Sequence, residues 1–109
     1  MARTEHVPFQ QAVPALQGYT LQDVVPVTGK ITQITVHFPN GCNALVNVAV
    51  FWKNTQILPI AGFLALNDTT PQFFVNTPVQ KNDPLIVQIN NGDAANAHTV
   101  SVVISVEEA

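Results

Sequence analysis

Charged residues are scarce in this chain: four Lys and Arg and seven Asp and Glu amount to 10% of 109 residues, where a soluble domain ordinarily carries about 25%. The formal net charge of −3 leaves no basic stripe to neutralise phosphates, which removes the electrostatic basis of nucleic-acid binding. Cys42 is the only cysteine, so no internal disulfide can staple the fold and stability has to come from packing. No apolar run approaches the ~20 residues of a membrane-spanning helix. The opening residues, Met1 to His6, lack a basic region followed by an apolar stretch. No secretory signal is therefore expected, and synthesis in a cytoplasm is.

Catalytic groups are equally sparse. The only serines are Ser101 and Ser105, and the sequence holds no Gly-rich phosphate loop, paired carboxylate motif or metal-binding cysteine set. The expectation is a protein that is not an enzyme and carries no cofactor.

What the chain does have is β character. Val occurs sixteen times and Thr ten times, and from Gly29 onward apolar residues recur at every second position between turn signals. Alternation places Ile34, Val36 and Phe38 on one face, then Val46, Val48, Val50 and Trp52, then Leu85, Val87 and Ile89, and finally Val100, Val102, Ile104 and Val106. Shorter strands are expected over 55–59, 63–67 and 72–76, punctuated by Pro59, Pro71 and Pro78. With a first strand over 19–25 the count is eight. The fold class expected is an all-β antiparallel sandwich of jelly-roll type with about eight strands over residues 18–109; a seven-stranded immunoglobulin-like sandwich fits the same pattern.

Residues 1–17 read differently. Val7-Pro8, Val13-Pro14 and Gln10-Gln11 suggest an extended N-terminal arm that lies along its own sheet or crosses to a neighbour. If it crosses, Val7, Pro8, Phe9, Val13, Pro14 and Leu16 are the residues that would touch a partner. Deletion of 2–16 would then leave the sandwich folded and weaken attachment.

Other candidate groups have plain structural readings beside the chemical ones. Cys42 as a nucleophile would need His37 or His98 as base, whereas the plain reading is a small buried residue. His6, His37 and His98 lack the close spacing that seeds a zinc site, and no metal is expected. Asp68 and Asp93 lie in Asn-rich loops, where calcium would need more than one carboxylate per loop and a turn-forming role needs only one. Tyr19 and Trp52 would serve a sugar-binding platform if exposed together, although Trp52 falls in phase with core valines.

The segment His37-Phe38-Pro39-Asn40-Gly41-Cys42, the turn Ala65-Leu66-Asn67-Asp68 and the ending His98-Thr99-Val100-Ser101-Val102 resemble small jelly-roll decoration or cement proteins of tailed-phage capsids. That resemblance implies a non-enzymatic virion protein, a homotrimer that binds the major capsid protein or another virion protein, with an N-terminal arm reaching the shell. The low charge is compatible with such a role, because few ionic groups need desolvating when the surface is covered. The alternative from a different class is a carbohydrate-binding or receptor-binding sandwich module using Tyr19 and Trp52.

Overall fold

The computed structural model describes residues 3–42, 45–58, 64–65 and 67–108. Eight strands run along the described residues: β1 (Thr4–Val13), β2 (Gly18–Val24), β3 (Gly29–His37), β4 (Val46–Trp52), β5 (Thr55–Leu58), β6 (Gln72–Val79), β7 (Pro84–Asn91) and β8 (His98–Glu108). No helix among them is long and apolar enough to cross a membrane. The strands form two four-stranded antiparallel sheets, ordered β1-β8-β3-β6 and β2-β7-β4-β5. The pairings are nested: β1 with β8, β2 with β7, β3 with β6, and β4 with β5. A chain folded into one long hairpin, with its tip at the β4–β5 turn, and then rolled up produces this pattern. Eight strands wound this way make a jelly roll, not an immunoglobulin sandwich.

The core lies where alternation puts it. Ile34, Val36 and Phe38 on the first sheet and Val46, Val48, Val50, Leu85, Val87 and Ile89 on the second are buried, as are Val100, Val102, Ile104 and Val106 of β8. Each valine or isoleucine fully removed from water contributes about 1.5–3 kcal/mol, which offsets the missing covalent staple. Trp52, in phase with these, is half-buried and packs against the core. Ile31 joins the same face three residues before Ile34 because the register between Ile31 and Gln33 shifts by one residue against β8. The extra residue restores the phase.

The segment expected as an arm is extended and lies along its own sheet. Thr4 to Val13 pairs with β8 over ten residues, from Thr4 opposite Glu107 to Val13 opposite His98. Val7, Phe9 and Val13 are buried in the common core, so within a single chain these three are interior side chains. Pro8 is tolerated because β1 is an edge strand and its side chain faces outward. Strand β1 thus shares its sheet and its core with strands on the far side of the boundary drawn after residue 17. Of the strand expected over 63–67, Phe63 and Leu66 lie outside the described residues, and Leu64 makes a single bridge to Val48. The count of eight is met by β1 instead.

Candidate functional site

Because successive strands run in opposite directions, residues far apart in sequence gather at the two ends of the sandwich. One end collects all four cations, Arg3, Lys30, Lys53 and Lys81, and five of the seven carboxylates, Glu5, Asp23, Asp83, Glu107 and Glu108. Arg3 Nε lies 2.7 Å from Glu5 Oε1 and its guanidinium also approaches Glu108 at 3.6 Å, while Lys53 reaches Asp83 at 3.9 Å. The two Arg3 pairs are solvent-facing and add little stability, whereas the Asp83 side chain is largely covered. A cleft of about 420 Å³ opens between Arg3, Val27, Thr28, Lys81 and Glu108.

The opposite end has only Asp68 and Asp93. Asp93 is buried, accepting hydrogen bonds from the backbone of Ala95 and Asn96 and, at 2.8 Å, from His98 Nε2. The Ala95 amide and the His98 ring are foremost in holding its carboxyl down at about 2. It is a turn-forming residue with its lone pairs occupied. Around it stand exposed apolar side chains: Leu16 is 67% exposed, Leu45 is 45% exposed and Tyr19 is partly exposed. The backbone ties them to one loop, since Leu16 N donates to Asp93 O and Gly92 N donates to Leu45 O.

The outer face of the β1-β8-β3-β6 sheet is also free of formal charge between its ends. Reading across the strands, one row is His6, Ser105, Gln33 and Phe74, and the next is Pro8, Val103, Thr35 and Gln72. Several of its polar groups are paired: His6 Nδ1 and Ser105 Oγ share a hydrogen bond at 2.9 Å, Gln33 Nε2 donates to Thr35 Oγ1 at 3.4 Å, and His37 Nδ1 and Thr70 Oγ1 lie 2.7 Å apart. Phe74, at 79% exposure, projects from the edge strand β6. With strands ~4.8 Å apart, this face covers on the order of 400 Å², about half of what each partner contributes to a standard interface.

The sequence-derived candidates are distributed over these regions. Pro8 lies exposed on the outer face, and Pro14 and Leu16 are exposed at the weakly charged end. Tyr19 pairs with Ile89 and Trp52 with Leu85, which places them four residues apart along β7, roughly 13 Å by strand rise alone. They share no platform. Trp52 Nε1 donates to Asp83 Oδ2 at 3.0 Å, and Lys53 Nζ sits 5.1 Å from its ring centre. The Gln80 amide, ahead of Trp52 and Lys53, holds the Asp83 carboxyl below its ordinary range. Cys42 is fully buried, and burial together with nearby Asp93 pushes its thiol pKa up, which works against a thiolate nucleophile. His6 and His37 lie on the outer face and His98 is buried at the weakly charged end; among the described residues no three metal-ligating side chains cluster. The segregation of charge was missed because it appears only when alternate strand ends are superposed.

A pH dependence follows. Asp93 is depressed to about 2 from 3.8, and Asp83 is lowered in the same direction. Their contribution is fully present above about pH 4 and is lost as the pH falls toward 2. Urea midpoints should therefore drop over that window. Asp93→Asn should flatten the drop, and an unchanged slope in that variant would rule out Asp93 as its source.

No known family matches the chain, and no curated protein matches it either. Solved structures are similar to it at low identity and at TM-scores below 0.5. A crystal structure of Yersinia pseudotuberculosis-derived mitogen is 8% identical, covering 94% of this chain and 86% of that one at a TM-score of 0.49. A structure of infectious bursal disease virus Gx strain is 10% identical, covering 96% of this chain and 32% of that one, also at 0.49. Bacillus endospore appendages, described as disulfide-linked pili, are 12% identical over 99% of this chain and 89% of theirs at 0.46.

Proposed function

We propose that this protein is a non-enzymatic structural component that self-associates and covers a larger surface, with its charged end left in water. The observation that carries the reading is the segregation of charge: nine of eleven charged residues stand at one end of the roll, and the other end presents Leu16, Tyr19 and Leu45. Covering that end costs little desolvation, because Asp93 is already satisfied internally and Asp68 is the one remaining carboxylate there. The resemblance to phage decoration proteins supplies the finer reading, a homotrimer in a virion bound to the major capsid protein or another virion protein.

Light scattering coupled to size exclusion tests the self-association directly: a clean species at the 11.8 kDa chain mass at micromolar concentration would sink it. Charge insertion locates the contact. Leu45→Glu should weaken association at least tenfold, since an unpaired carboxylate would have to be desolvated. Val24→Glu, an exposed site at the charged end, should leave it within about twofold. Equal effects of the two substitutions would contradict the assignment of the weakly charged end. Separation of Tyr19 from Trp52 gives the carbohydrate-binding alternative no shared platform.

A further inference from the structure

We infer that the self-association rests on exchange of strand β1, with β1 of one copy lying against β8 of the next. The inference deepens the structural reading above and depends on it. Strand β1 is the first element, an edge strand bonded in its sheet to β8 alone and connected to the rest through one short link, residues 14–17. It can therefore leave and be replaced by an identical strand without disturbing any other pairing. Every β1–β8 bond and the burial of Val7, Phe9 and Val13 would be reproduced between copies.

The link is where the two arrangements differ. Leu16 has φ +58° and projects into solvent. Among the described residues three other non-glycines share the left-handed region: Asp68 and Asn82 are types that tolerate it, and Lys53 lies in the two-residue turn of the β4–β5 hairpin. Leu16 has neither excuse. Its strain belongs to the closed link, where Gln17 N donates to Pro14 O at 3.2 Å and turns the chain back toward β2. An extended link removes that strain, and short strained hinges favour exchange. Four extended residues reach roughly 14 Å, enough to pass β1 across to a copy abutting the same end, where Leu16, Tyr19 and Leu45 stand exposed. Exchange also supplies the contact that the outer sheet face, with about half a standard interface, does not provide alone.

Gln10 and Ser101 face each other across β1 and β8 on the outer surface, at a spacing of the kind a disulfide bridges. The full chain carrying Gln10→Cys and Ser101→Cys is refolded, separated into oligomer and monomer by size exclusion, oxidised, and run on a denaturing gel without reductant. The oligomer should run as covalently linked chains and the monomer as single chains with an internal bridge. An oligomer that falls apart entirely into internally bridged single chains overturns the exchange while leaving self-association intact; the absence of any oligomer overturns both. An equal ladder from Gln10→Cys alone also overturns it, as adventitious cross-linking. Independently of cysteine, Leu16→Gly relieves the closed link and should lower the oligomer fraction roughly tenfold. An unchanged or raised fraction counts against the hinge.

Discussion

Deleting residues 1–13 should abolish cooperative unfolding of this protein. Strand β1 inserts Val7, Phe9 and Val13 between the sheets, and their burial contributes about 1.5–3 kcal/mol each. Deletion also exposes the flank of Val102 and Ile104 and leaves one edge of β8 without its ten-residue partner. The combined loss rivals the whole stability of a domain this size, about 5–15 kcal/mol. Phe9→Ala isolates the largest side chain and should cost about 3–5 kcal/mol. Urea unfolding followed by near-ultraviolet dichroism reads both. A truncated chain that keeps a steep transition at the full-length midpoint would show that β1 is dispensable, as an arm projecting from a finished domain would be. Restoration of the transition by a peptide of residues 3–13 added in trans would show the vacated groove to be competent for a strand from elsewhere.

The second large effect is expected at Asn91. Its side chain is 3% exposed, and Nδ2 donates to the carbonyls of Val13, Pro14 and Asn96 at 3.0, 3.3 and 2.9 Å, while Oδ1 accepts from the Asp93 amide. One amide thus ties the end of β1, its link to β2 and the β7–β8 loop together. Asn91→Leu leaves several of these groups without partners in a site largely closed to water. At ~1–3 kcal/mol for each orphaned group, the total is about 3–5 kcal/mol. Asn90→Leu, one residue earlier on the exposed face, should change stability by no more than about 0.5 kcal/mol. Comparable denaturation midpoints for the two variants would disprove the account of Asn91 as the clamp of this end.

Asn90 and Asn91 are adjacent and identical in type, and their difference marks where sequence reading stops. Alternation along the chain places the side chains of a strand on two faces, because successive Cβ atoms point to opposite sides. The inward runs of β3, β4, β7 and β8 were therefore legible residue by residue, and so was the all-β class. Strand β1 was not, because Gln11 interrupts the period between Phe9 and Val13 and the two prolines signal an arm. Proline denies a ladder bond only where the strand has a neighbour on that side, and the sequence does not say which strands are edges. The phase of Ile31 was lost for a similar reason, since the register shift before Gln33 is defined only against the partner strands β8 and β6.

The composition also established the scarcity of charge. Where the remaining charges stand was decided by the roll. Nested antiparallel pairing brings the starts of odd strands and the ends of even strands to one end, and so gathers Arg3, Lys30, Lys53, Lys81 and their carboxylate neighbours there. The same geometry leaves Leu16, Tyr19 and Leu45 at the other end and buries Asp93 against His98. Local pattern determines which way a side chain faces in its strand; only the winding of the strands determines which side chains from distant segments share a surface.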